Sequence, residues 1–180
     1  MRAFLAMPLP DQVCATLEDL QLSLPFGKLV PSENLHLTLA FLDEQPVAQL
    51  EEVHAVLSLL KSPGFSLSLV GLGCFAGKGP VSLHAEAIHA TELMELHRKV
   101  RAALRGAGLI LPRSRFLPHV TLARFRRGMR REDQFRLAGF LAANAGFQAG
   151  PFDVLEFALF SSTLDQGGAR HEALASYPLC

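Results

Sequence analysis

The sequence predicts an α+β fold of two pseudo-symmetric lobes flanking a cleft, and three features predict it. One short pattern occurs twice, as His36-Leu37-Thr38-Leu39 and as His119-Val120-Thr121-Leu122, 83 residues apart. Both copies lie in runs that alternate apolar and polar residues with period two, as a half-buried strand does. Around each copy the elements recur in one order: motif strand, helix, strands. The longer likeness of HLTLAF to HVTLARF points to an internal duplication.

The elements follow in chain order. Residues 2–7 read as a first strand, and Pro8, Pro10 and Asp11 come too soon for a secretory apolar region. Residues 11–22 form a helix with Val13, Leu17 and Leu20 on one face. Pro25, Gly27 and Pro31 mark a turn or short strand. Residues 35–42 are the first motif strand, and Pro46 is well placed to open a helix over 47–60. Ser62-Pro63-Gly64 stops that helix. Residues 65–70 alternate strictly, Gly71, Gly73, Gly77, Gly79 and Pro80 mark a hairpin, and 81–87 return as a strand.

The second half repeats the plan. A basic amphipathic helix spans 90–105, a loop 112–115, the second motif strand 116–125, and a basic turn 126–131. A helix over 132–143 precedes one long strand, 152–162. Gly167-Gly168 turns the chain into a final strand over 170–177.

A chain of 180 residues, 49% hydrophobic and 19% charged, is long enough for one domain of two small lobes sharing a core. No apolar run approaches a membrane span. Cys14, Cys74 and Cys180 make neither a zinc pattern nor a disulfide framework, which suits a reducing cytoplasm. Net charge is zero, yet 12 of the 17 Lys and Arg lie between Arg98 and Arg136, opposed only by Glu132 and Asp133. That asymmetry points to a polyanion, nucleic acid first; the other reading is a set of solvated helix faces and loops.

On each motif strand the His and Thr two residues apart share one face, and the apolar residues share the other. Seven His in 180 residues leave little room by chance for two His-x-Thr pairs that both fall in alternating apolar strands. A catalytic zinc needs three protein ligands; neither motif offers them, and Asp43 falls beyond the end of the first motif strand. No metal and no cofactor are therefore expected. Acid–base chemistry fits better, because imidazole titrates near neutrality. Displacement at phosphorus needs a base for the nucleophile and an acid for the leaving oxygen, on opposite sides. Thr38 and Thr121 hydroxyls can donate to the non-bridging oxygens, although threonine also favours strands for its own sake. Arg124 would suit a phosphate, but strict alternation puts it on the wrong face unless a bulge or strand end turns it back. His54, His84, His97 and His171 carry no Thr two residues on, and His89, two residues before Thr91, reads as the start of a helix rather than as part of an alternating strand.

At these residues the chain resembles the RNA 2′,3′-cyclic phosphodiesterases of the two-histidine phosphoesterase superfamily. The blocks that carry the resemblance are RAFLAMPLP, PSENLHLTLAFLDE, PGFSLSL, FLPHVTLARF and FALFSSTL. The resemblance implies a bilobal α+β fold with two antiparallel sheets lining a central cleft and helices outside. It implies metal-free hydrolysis of RNA or nucleoside 2′,3′-cyclic phosphate ends to 2′-phosphomonoesters; a cytoplasmic monomer is expected beside it. By that likeness His36 is the proton donor, His119 the proton acceptor, and Thr38, Thr121 and Arg124 hold the phosphate. The chain departs from the family at VSLHAEA, where Trp is frequent, and at His171, where Tyr is frequent. Two other readings are 2′-5′ RNA ligation, with an alcohol in water's place, and non-catalytic binding of RNA or nucleotides by the basic segment.

Overall fold

A computed structural model describes residues 1–77, 79–88, 90–126, 128–164 and 168–180. His89, Arg127 of the basic turn and Gly167 of the last turn lie outside the described residues. Among the described residues nine strands form one antiparallel sheet. They are β1 (Arg2–Pro8), β2 (Lys28–Leu29), β3 (His36–Glu44), β4 (Phe65–Gly77), β5 (Gly79–Ala87), β6 (His119–Arg124), β7 (Gln148–Val154), β8 (Glu156–Leu164) and β9 (Ala169–Pro178). The helices are α1 (Asp11–Leu22), α2 (Val47–Ser58), α3 (Thr91–Gly106) and α4 (Arg131–Ala143), and a 3₁₀ turn covers Ser32–Asn34.

The strand order β7-β4-β5-β6-β3-β1-β8-β9, with β2 added on β6, places the two motif strands side by side at the centre. They touch through a single bridge, Leu37 opposite Val120. The two expected sheets are thus present as halves of one continuous sheet, joined at this seam. Along the chain one element order occurs twice, β1-α1-β3-α2-β4 (with the short β2 between α1 and β3) and then β5-α3-β6-α4-β7, although β4 itself lies on the β6 side of the seam.

Helical periodicity decides which faces are buried. Val13, Leu17 and Leu20 of α1 and Leu93, Leu96, Val100 and Leu104 of α3 form apolar stripes one to two turns apart. Each such side chain contributes about 1.5–3 kcal/mol on full burial. The stripes cross between halves: α1 packs on β6 and β7, and α3 packs on β3 and on α2. This exchange clamps the seam that one bridge alone would hold weakly. Leu37, Leu39, Val120 and Leu122 point into this core, so the alternate residues of both motifs face away from it.

Two expected elements differ. The single strand over 152–162 is two strands broken at Leu155, β7 pairing with β4 and β8 with β1. Alternation slips there, because Leu155 and Glu156 are both exposed. The strand starting at 65 runs on through Gly71 and Gly73 to Gly77. A Cβ at Gly73 would lie 2.7 Å from His84 Nε2 and 2.6 Å from Glu86 Oε1, so only glycine lets β5 side chains lie over β4 here.

Candidate active site

The antiparallel register sets the centre of the site. With Leu37 opposite Val120, one step along each strand sets His36 towards Thr121 and Thr38 towards His119. All four lie on the face opposite the buried bridge residues. They line one cleft of about 450 Å³, together with Arg124, Phe4, Lys28, Asn34, Phe41, Asp43 and His171. All five residues expected to do chemistry or hold phosphate are therefore brought together.

Both imidazoles are held the same way. His36 Nδ1–H donates to the carbonyl of Asn34 at 2.8 Å, and His119 Nδ1–H donates to that of Leu117 at 2.7 Å. A carbonyl only accepts, so the hydrogen sits on Nδ1 and leaves Nε2 of each neutral ring as a free acceptor. Burial pushes His36 down to about 4, with further lowering by His171, His119 and the Arg124 guanidinium, against the raising effect of the Asn34 carbonyl. Burial also lowers His119, helped by Arg124 and opposed by the Leu117 carbonyl. Both rings are thereby set neutral in the free protein at neutral pH. An arriving phosphodiester anion offsets the cationic neighbour and favours protonation.

Arg124 reaches the cleft through a bulge. Leu83 pairs with Ala123 while His84 pairs with Thr121, so Leu122 is the extra residue. It turns two successive side chains, Leu122 and Ala123, into the core and brings Arg124 back to the cleft face. The peptide displaced from the ladder is not left unsatisfied: the Leu122 carbonyl accepts from Gln21 Nε2 at 2.8 Å and from the Val30 N–H at 2.9 Å. The first motif has the same bulge at Leu39, since Leu5 pairs with Ala40 and Ala6 with Thr38. Phe41 consequently occupies, on β3, the position that Arg124 occupies on β6. It lies in the cleft with 61% of its surface exposed.

In and behind the cleft lie residues to which sequence reasoning gave no role. Asp43 lies inside β3 rather than beyond its end and takes a left-handed φ of 56°, which Asp tolerates better than most residues. His171 packs edge-on against His36, ring centroids 5.4 Å apart, and against Phe4 at 4.8 Å. His84 is 5% exposed, sandwiched between Phe75 at 4.2 Å and His119 at 5.1 Å, and it is pushed down to about 4 by burial and by His119. No local pattern marks these residues; pairing of distant strands assembles them. Only the departure from Tyr at position 171 hinted that this residue was unusual.

The basic segment divides. Arg101 donates to the Leu111 and Pro112 carbonyls, Lys99 to the Lys61 carbonyl, and Arg136 pairs with Asp133, so these serve the fold or its surface. Arg126, Arg130 and Arg131 are exposed. Among the described residues no three His, Cys, Asp or Glu side chains converge as metal ligands. No helix there is long and apolar enough to cross a membrane.

Residues 9–166 match the 2′-5′ RNA ligase superfamily. An RNA 2′,3′-cyclic phosphodiesterase of Geobacillus stearothermophilus is 32% identical, covering 98% of this chain and 56% of its own length. The chain thus spans a little over half of that relative. An RNA 2′,3′-cyclic phosphodiesterase of Thermus thermophilus is 36% identical over 69% of this chain and 68% of the relative. The crystal structure of a Thermus thermophilus protein shares 31% identity with a TM-score of 0.80, covering 99% of this chain and 98% of that one.

Proposed function

The chain belongs to the 2′-5′ RNA ligase superfamily, and on that premise we propose that it hydrolyses the 2′,3′-cyclic phosphate of an RNA end or nucleoside to a 2′-phosphomonoester. The observation that carries this reading is the pair of imidazoles, one from each half, with identically pinned Nδ1 atoms and a shared cleft. Water attacks phosphorus in line with the 3′ oxygen. His119 Nε2 takes the proton of that water as the new P–O bond forms. The P–O3′ bond breaks, and His36 Nε2–H protonates the leaving oxygen. His36 carries that proton because the phosphate charge, once bound, favours the imidazolium. Thr38 and Thr121 hydroxyls donate to the non-bridging oxygens as charge builds on them. The Arg124 guanidinium supplies a permanent, planar counter-charge.

No metal or cofactor enters this scheme. The catalytic unit is proposed to be one two-lobed domain, since each half supplies one His-x-Thr pair, acting as a monomer. Free thiols at Cys14, Cys74 and Cys180 suit a reducing cytoplasm. Incubation with nucleoside 2′,3′-cyclic monophosphates, followed by identification of the product isomer, tests the reading. The 2′-phosphate is expected. The 3′-phosphate would reverse the assigned leaving group, and absence of turnover would end the proposal.

A further inference from the structure

We propose that His171 is a third working imidazole of the cleft, one that takes up a proton as the product phosphomonoester forms and holds its second negative charge. This rests on the hydrolytic reading above and extends it to product handling. Hydrolysis turns a diester with a single charge into a monoester whose second ionisation lies near neutrality. The reaction therefore generates a proton and a second anionic charge in the same place. His36 and His119 are already committed to the leaving oxygen and to water, and the Arg124 guanidinium is a permanent charge.

His171 is placed to meet this need. It lines the cleft with His36, His119 and Arg124. Its ring is fixed by edge contacts to Phe4 and His36. Asn34 Nδ2 holds the start of β9 by donating to the Ala169 carbonyl at 2.7 Å, while the Asn34 carbonyl holds His36. One residue thus ties the two rings together. The Nδ1 atom of His171 is buried and has no hydrogen-bond partner among the described residues; buried polar atoms of this kind call for a ligand or functional explanation.

The charged and titratable groups that share its two cavities are Arg2 on β1, Lys28 on β2, His36 and Asp43 on β3, His119 and Arg124 on β6, Asp11 and Cys14 on α1, and Glu33 on the 3₁₀ turn. Asp11 and Glu33 lie in a second pocket of about 260 Å³ that meets the cleft at His36 and His171. Burial and Arg124 lower the proton affinity of His171 in the free protein, and a bound anion acts in the opposite direction. His84 also has a buried Nδ1 without such a partner. It sits behind His119 under Phe75 and does not line the cleft, so the same role does not extend to it.

Binding linked to proton uptake weakens as pH rises, and the slope of log Kd against pH counts the protons taken up. Calorimetric titration with adenosine 2′-monophosphate and with inorganic phosphate, from pH 5.5 to 8, compares the wild type with His171→Gln. The wild-type slope is expected to exceed the variant's by up to one, so affinities differ by up to tenfold at the acidic end and converge at the basic end. Equal slopes would overturn the proposal. Imidazole NMR of the wild type gives the answer even if the variant fails to fold: phosphate should raise the His171 titration midpoint by about one pH unit (a tenfold change in proton affinity), and an unmoved midpoint overturns it. The phosphate arm needs no turnover. A protein that takes up this proton but does not hydrolyse cyclic phosphates would sink the proposed function alone, and one that hydrolyses them with no proton on His171 would sink this inference alone.

Discussion

The motif on β3 and the motif on β6 share a backbone and differ in what that backbone presents. Six residues, His36 to Phe41 and His119 to Arg124, run through the same burial sequence. Each has a bulge at its fourth residue, and each pins its histidine to the carbonyl two residues back. At the sixth position one carries a phenyl ring and the other a guanidinium. The surroundings differ too: His36 meets Phe4 and His171, both in the cleft, whereas His119 is backed by His84 and Phe75. On the proposed reading this repeated frame supplies symmetric chemistry at phosphorus, while the sixth positions make the two ends of the cleft unlike. That suits a substrate with a charged phosphate at one end and an apolar base face at the other.

The largest effects should fall on what the halves share. His36→Ala and His119→Ala are each expected to lower kcat by about 10²–10⁴-fold with the thermal midpoint little changed. The double variant should lose much less than the product of the two, because the rings act as a unit. A single variant keeping most of its activity breaks the equivalence. Next come Thr38→Val and Thr121→Val, each expected to cost about 10²-fold in kcat; a loss confined to one Thr would show that only one half donates to the phosphate.

The sixth positions should separate the halves more gently. Phe41→Ala is expected to raise KM about tenfold with kcat nearly kept, as loss of base stacking does. Arg124→Lys should lower kcat as well as raise KM, because a point charge replaces a planar one. Steady-state kinetics on nucleoside cyclic phosphates check both. The smallest effect is on stability and belongs to the β6 side. Below its ordinary value near 6.5 an exposed histidine is protonated, but His84 stays neutral in the fold down to about 4. The unfolded chain then binds more protons, so stability falls as pH drops from 6.5 to 4, by at most about 3 kcal/mol for this group. His84→Phe should flatten that part of the midpoint-against-pH curve.

The twofold frame was legible because its signals are local. Period-two runs around His36 and His119 and the apolar stripes of α1 and α3 fix strands and helices from neighbours a few residues away. Arg124 was ambiguous for a physical reason: a bulge is settled by the facing strand, here β5, and by the Gln21 and Val30 donors that satisfy the displaced Leu122 carbonyl. The same cause hid Phe41. The break at Leu155 was hidden because alternation resumes after it, although the strands on either side join opposite halves. His171 and the VSLHAEA stretch that holds His84 were visible only as departures from the family, with no role attached, since each histidine owes its place to strand pairing that no window of sequence contains.

The most direct test of the paired imidazoles is the pH dependence of kcat/KM for the wild type, His36→Ala and His119→Ala on one nucleoside 2′,3′-cyclic phosphate. The wild type should give a bell that lies at lower pH than the bell for kcat, since both rings are lowered in the free protein and raised again by bound phosphate. Loss of His119 should remove the acidic limb, and loss of His36 the basic limb. Two variants that both keep the whole bell would contradict the account.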